Sequence, residues 1–120
     1  MSPTKNNIPI YRLKGKERID NLFRTGKSIR HKGLHLRYIK NDKEQGASWG
    51  VSVPKRLVHL AVDRNRIKRQ LRALIKTTDF IPFKGSAILI YSKQNEPDWK
   101  SLKESFQNLL LKYSLYDKEN

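Results

Sequence analysis

The sequence contains no cysteine and has few acidic residues. The absence of cysteine among 120 residues excludes disulfides, thiol chemistry and zinc sites built on cysteine. Asp and Glu number 11 against 26 Lys and Arg, which leaves a formal net charge of +15. Such an excess of positive charge favours a polyanionic partner, with nucleic acid expected ahead of an anionic membrane surface.

Long apolar runs are also missing. No stretch approaches the roughly 18 residues that span a bilayer, and residues 1–10 are polar with two prolines, unlike a signal peptide. We therefore expect a cytoplasmic protein that binds no membrane. A chain of this length forms one domain, and we expect a single folded domain at 11–115 between a flexible segment at 1–10 and a tail at 116–120.

The positive charge is confined to one part of the chain. Residues 1–76 contain 20 Lys and Arg against 5 acids, whereas residues 77–120 contain 6 of each. All ten arginines lie at or before Arg72, and their planar guanidinium groups suit two-pronged contacts with phosphate. Scattered surface lysines would not produce this confinement, so we expect a nucleic-acid-binding face within residues 1–76.

Hydrophobic periodicity predicts an α+β fold with the order α-β-β-α-β-α. The predicted elements are a helix at 16–25, strands at 34–40 and 48–53, a helix at 61–77, a strand buried on both faces at 86–92, and a helix that opens at 97–98. The polar residues 41–47 predict a hairpin loop between the first two strands. Residues 27–32 are left open as a further short strand.

The predicted helix at 61–77 concentrates the positive charge. At about 100° per residue its apolar side chains cover one arc, and Arg64, Lys68 and Arg72 follow each other on the opposite flank. Each like-charged pair of this kind costs a few tenths of a kcal/mol. The cations also crowd the positive end of the helix dipole, behind Asp63 as the expected N-cap. We infer that an anion outside the chain compensates this charge.

A catalytic site for RNA cleavage is not predicted. The three histidines have no carboxylate spaced to orient them for acid–base chemistry, and the acidic residues form no cluster suited to two metal ions. We therefore expect no catalytic residue and no metal bound by the protein, which disfavours a self-sufficient nuclease.

The motif on this helix resembles that of a known family. The signature of the bacterial ribonuclease P protein component is similar to residues 61–69 (AVDRNRIKR), with Leu71 and Arg72 after them. Residues 50–56 (GVSVPKR) also resemble that family, as does the first helix. The resemblance covers about residues 11–115 and implies that they form a single RNA-binding domain.

The resemblance implies a fold, a function and two sets of RNA contacts. The implied fold is the sandwich of the second domain of ribosomal protein S5, with a left-handed β-α-β crossover around residues 61–90, whereas the general rule predicts a right-handed one. The implied function is that of a subunit of ribonuclease P, whose catalytic RNA removes the 5′ leader of precursor tRNA with Mg²⁺ held at the RNA active site. The implied contacts with the catalytic RNA are Lys55, Arg56, Arg64, Asn65, Arg66, Lys68, Arg69 and Arg72. The implied leader cleft lies between the first helix and the sheet and contains Ile19, Phe23, His35, Arg37 and Ser52.

We therefore expect a protein cofactor of an RNA enzyme, with the catalytic RNA and precursor tRNA as partners. The alternative is a generic basic RNA chaperone or ribosome-associated RNA-binding protein. Binding of one structured RNA at defined stoichiometry distinguishes the two.

Overall fold

The computed structural model describes residues 8–78, 81–94 and 97–119, which form five strands and three helices. The strands are β1 (Ile10–Arg12), β2 (Lys27–His31), β3 (Leu34–Lys40), β4 (Ala47–Ser52) and β5 (Gly85–Tyr91). The helices are α1 (Lys16–Thr25), α2 (Ala61–Thr77) and α3 (Trp99–Glu119). Of the predicted terminal segments, residues 1–7 and the side chains of 116–120 lie outside the described part.

The predicted hairpin at 41–47 is wrong. The sheet order is β1-β4-β5-β3-β2, so β5 lies between β3 and β4, antiparallel to the former and parallel to the latter. The loop after β3 passes around the start of β5, where Asn41 N–H donates to Lys84 O (2.8 Å) and Gly85 N–H donates to Gly46 O (3.1 Å). Gly85 has φ +131°, and a Cβ there would overlap a carbonyl oxygen of β3. Only glycine therefore fits where these segments meet.

The two edge strands of the sheet, β1 and β2, are not among the six predicted elements, although residues 27–32 are left open as a strand. β2 confirms the strand left open at 27–32, and it pairs antiparallel with β3. β1 is absent from the predicted elements and pairs parallel with β4 at the other edge. The connection from β4 through α2 to β5 joins neighbouring parallel strands, and its left-handed sense stays a prediction.

Successive side chains of each strand point to opposite faces of the sheet, and the buried apolar ones form a separate cluster on each face. The main core lies beneath α2 and α3, where Trp49 and Leu89 of the strands meet Leu71 and Phe106 of the helices. α1 covers part of the opposite face, over a smaller cluster of Leu13, Leu22, Ile88 and Ile90. Because both faces are covered there, β5 is buried along its whole length, as predicted.

The orientation of α2 follows its apolar stripe. The residues of this helix that are buried are Ile67, Leu71, Leu74 and Ile75, which confirms the predicted arc. Asp63 is not the N-cap, because the helix begins after Leu60 without a side-chain cap, and Asp63 lies within its first turn. Its carboxylate still lies near the positive end of the helix dipole. In the described part of the chain, no helix is long and apolar enough to cross a membrane.

Candidate nucleic-acid interface

The flank of α2 opposite the core forms a cationic surface, which we call the α2 face. Burial of the apolar stripe leaves the side chains of Asn65, Arg66, Arg69 and Arg72 exposed, with Arg64 and Lys68 half-buried beside them. Lys55 and Arg56 are exposed in the turn that follows β4 and precedes the helix. The contacts implied for the catalytic RNA therefore all lie on the helix or on the segment leading into it.

Two cations of the α2 face have partners inside the chain. Nη1 of Arg64 donates to the carbonyl oxygens of Val58 (3.0 Å) and His59 (2.7 Å), in the segment that enters the helix. Arg66 lies 3.8 Å from the carboxylate of Asp63. Carbonyl and carboxylate oxygens of the chain itself therefore supply part of the compensation at Arg64 and Arg66, which the sequence did not predict. Compensation by an anion outside the chain stays a prediction.

A cleft of about 520 Å³ lies on the sheet face that α1 covers only in part. The residues that line this cleft are Phe23, Arg30, His35, Arg37, Ser52, Pro54, Arg56, Leu57, Ile90 and Ser92. Four of the five side chains predicted for the leader cleft therefore come together, and Arg56, which the resemblance assigns to the catalytic RNA, lines the cleft with them. Ile19 does not line it, because this side chain packs against the apolar cluster beneath α1.

Arg37 is held at the carboxyl end of α1. Its Nε donates to Leu22 O (3.1 Å), and its Nη2 donates to Phe23 O (2.9 Å) and Gly26 O (3.0 Å). The carbonyl groups of Leu22 and Phe23 belong to the last turn of the helix and that of Gly26 to its C-cap. A cation at this end is favoured by the helix dipole. The guanidinium carbon also lies 5.8 Å from the centre of the Phe23 ring, within the range of a cation–π contact. Arg37 therefore fixes both the helix end and the ring at the cleft wall.

Arg30 also lines the cleft and adds a positive charge, although it is not among the residues predicted for the leader cleft. In the β2–β3 register Arg30 pairs with His35, so both side chains lie on the cleft face. The turn between the strands is Lys32-Gly33, with φ of 38° and 85°, and a two-residue turn with positive φ sets the register of a hairpin. That dipeptide is the signal by which Arg30 could have been placed opposite His35.

Burial lowers the pKa of His35, and the positive charges of Arg30 and Arg37 lower it further. The Nε2 atom of His35 is buried and has no hydrogen-bond partner within the described residues. The neutral ring is therefore favoured in the unliganded cleft. A phosphate bound there would offset the arginine charges and favour the protonated ring.

Two cationic surfaces thus lie on one small α+β domain, a convex one along α2 and a concave one beside α1. A convex helix face suits the phosphates of a folded RNA, and a cleft with an exposed aromatic ring suits a single strand. The fold and the surfaces together define an RNA-binding protein. Within the described ranges, no group of three or more His, Cys, Asp or Glu residues is placed to hold a metal ion.

Comparison with known proteins identifies the family. The ribonuclease P family model matches residues 9–114. The ribonuclease P protein component of Bacillus velezensis is 31% identical over 116 residues, which span 91% of this chain and 94% of its own. That of Microcystis aeruginosa is 38% identical over 72 residues, 56% and 58% of the two chains. The chain belongs to the bacterial ribonuclease P protein family, which functions in the maturation of tRNA 5′ ends.

Solved structures show the same fold. The Staphylococcus aureus RNase P protein has a TM-score of 0.73 at 24% identity, over 83% of this chain and 92% of that one. The Thermotoga maritima RNase P protein has a TM-score of 0.71 at 24% identity, over 82% and 94%. These similarities confirm the predicted α+β fold class.

Proposed function

We propose that this chain is the protein subunit of a ribonuclease P holoenzyme, in which it binds the catalytic RNA and the 5′ leader of precursor tRNA. The observation that carries the proposal is that the α2 face and a cleft with an exposed aromatic ring lie on one chain that matches the family model over 9–114, with Arg56 where the two surfaces meet. Two adjoining cationic surfaces on different elements allow one small protein to contact two RNAs at once.

The α2 face is the proposed contact with the catalytic RNA. Exposed cations such as Arg69 and Arg72 displace condensed counterions from the RNA backbone, so binding weakens as salt rises. Asn65, which is exposed among them, has an amide that both donates and accepts hydrogen bonds and is suited to a base edge.

The cleft is the proposed contact with the leader. The Phe23 ring is 50% exposed at its wall and offers a stacking surface for an unpaired base. Arg30 and Arg56 are exposed beside it and suit the phosphates of the same strand. Mature tRNA has no leader to fill the cleft, so the protein is expected to favour the precursor.

The chemistry of cleavage is proposed to belong to the RNA, with Mg²⁺ held at the RNA active site. The α2 face and the cleft are lined by cations, which disfavour a bound divalent cation on electrostatic grounds. The protein then contributes affinity and position for the RNA rather than a reacting group. We place this activity in the cytoplasm.

A cleavage assay tests the proposal with the protein alone, a ribonuclease P RNA alone at moderate Mg²⁺, and the two together. We expect no cleavage by protein alone, enhanced cleavage by the pair, and a preference for precursor over mature tRNA that falls in Phe23→Ala. Lys103→Ala on α3 is the matched control and should leave the preference unchanged. Robust cleavage by purified protein alone would overturn the subunit proposal. Equal affinity for unrelated folded RNAs would instead favour the RNA chaperone.

A further inference from the structure

A second groove, of about 530 Å³, lies on the opposite side of the molecule from the cleft. It opens between the edge strand β1 and the carboxyl-terminal half of α2. Its floor contains Trp49, Ile75 and Ile81, on the sheet face that carries the main core. The cleft residues lie on the other sheet face, so one strand of RNA in the cleft does not enter this groove directly.

The rim of this groove is cationic. Arg12 from β1 and Arg72 and Lys76 from α2 line it, and all three side chains are exposed. No acidic side chain of the described residues is among those that line it. An apolar floor beneath a positive rim matches the two parts of a nucleotide, a flat base and a phosphate. The volume also falls in the range of pockets that hold small organic ligands.

The floor carries a hydrogen-bond donor without an acceptor. Nε1 of Trp49 is buried and has no partner among the described residues, whereas buried donors in folded proteins are nearly always paired. Trp49 lines the groove, so a ligand on the floor contacts this side chain, and its indole N–H signal reports on occupancy.

We propose that this groove binds an unpaired nucleotide of the catalytic RNA, with the base on the apolar floor and the phosphate among Arg12, Arg72 and Lys76. The catalytic RNA is the chosen occupant because Arg72 and Lys76 continue the α2 face that contacts it under the proposed function, on which this inference rests. The groove extends that contact from the helix to β1 at the edge of the sheet.

The two tryptophans of the chain allow a direct test by NMR. Trp49 lies in the floor, whereas Trp99 begins α3 and is 42% exposed. Addition of a short single-stranded oligoribonucleotide to the protein should shift the Trp49 indole N–H signal saturably and leave that of Trp99 in place. The double variant Arg12→Ala/Lys76→Ala should lose the shift, and the charge-matched control Lys100→Ala/Lys103→Ala should keep it. The absence of a saturable Trp49 shift in the wild-type protein would overturn the proposal.

Binding experiments with the catalytic RNA then test whether this RNA supplies the nucleotide in the groove. The groove double variant should bind the catalytic RNA about tenfold more weakly near 0.1 M salt, with a salt slope shallower by about 1 to 2. The preference for leader-containing substrate should not change. An equal loss in the control pair, or a loss of leader preference in place of RNA affinity, would overturn the assignment. If the wild-type protein fails to activate the catalytic RNA at all, the proposed function fails; activation without any groove effect contradicts only this inference.

Discussion

The two faces of the sheet are built from the same strands and differ in almost every other respect. Beneath α2 and α3, aromatic rings pack edge-on and tilted, with Trp49 and Phe106 centres 6.2 Å apart and Tyr38 and Phe83 centres 5.3 Å apart. On the opposite face, α1 covers part of the surface and leaves a cleft that contains His35 and Arg37. A strand such as β3 contributes one set of alternate side chains to the core and the other set to the cleft face. A register slip of one residue would exchange the two.

A second difference separates the arginines of the functional surfaces. Arg37 and Arg64 donate to backbone carbonyl oxygens and hold the ends of two elements. Arg69 and Arg72 lie exposed on the α2 face. Some arginines of this chain therefore stabilise the fold through internal hydrogen bonds, whereas others are exposed and available to a partner. The mutations below distinguish the two groups.

The largest expected effect is on the core side of α2. Leu71 is fully buried, and Leu71→Ala should lower the free energy of unfolding by about 2–5 kcal/mol, because it leaves a cavity. Urea denaturation monitored by circular dichroism measures this effect. A loss below about 1 kcal/mol would contradict the assigned orientation of the helix.

The next effect concerns the arginines fixed inside the chain. Arg37→Ala removes three hydrogen bonds at the end of α1, and it should destabilise the fold by about 1–3 kcal/mol, since bonds from a charged donor contribute more than neutral ones. Arg56→Ala removes an exposed arginine from the same cleft and should stay within about 0.5 kcal/mol. Equal stability of the two variants in urea would show that the carbonyl contacts of Arg37 do not stabilise α1.

Local patterns predict much of this fold. The bounds of α1, β3 and α2 follow from periodicity within single segments, because helix and strand spacing is a property of neighbouring residues. The insertion of β5 between β3 and β4 depends on pairing between distant segments, and nothing in residues 41–47 distinguishes a hairpin loop from one that passes another strand. β1 has only three residues, too few for a pattern to appear.

The candidate sites show the same division. The α2 face follows from a helical wheel and the family motif, since one helix carries most of it. Arg30 can be assigned to the cleft only from the β2–β3 register. Ile19 does not line the cleft, because contacts between α1 and the sheet turn this side chain toward the apolar cluster. The internal bonds of Arg37 and Arg64 depend on which carbonyl groups other segments bring near. The sequence therefore identifies a positively charged residue but does not predict which group it bonds to in the folded chain.

A smaller effect on stability, with a clear effect on binding, is expected for the exposed arginines. Arg69→Ala should leave the free energy of unfolding within about 0.5 kcal/mol. If about six phosphates are neutralised, log K against log[salt] for the wild-type protein and catalytic RNA should have a slope between roughly −4 and −5. The variant should reduce that slope by about 1. A wild-type slope shallower than about −2 would contradict an extended phosphate contact.

The smallest expected effect is the pH dependence contributed by His35. Its pKa is lowered in the folded protein, so the unfolded chain, with an ordinary histidine pKa near 6.5, binds the proton more readily. The free energy of unfolding should therefore decrease as pH falls below about 7, and it should level off once pH lies below the folded pKa. His35→Gln keeps a neutral polar side chain and should remove this part of the pH dependence of the unfolding free energy in urea titrations at several pH values.

A bound leader should have the opposite effect on His35, since its phosphates offset the charges of Arg30 and Arg37 and favour the protonated ring. Affinity for leader-containing precursor should then rise relative to His35→Gln as pH is lowered toward about 5.5. If the wild-type protein and His35→Gln have parallel pH profiles in both measurements, His35 does not titrate differently in the cleft, and its burial there has no electrostatic consequence for leader binding.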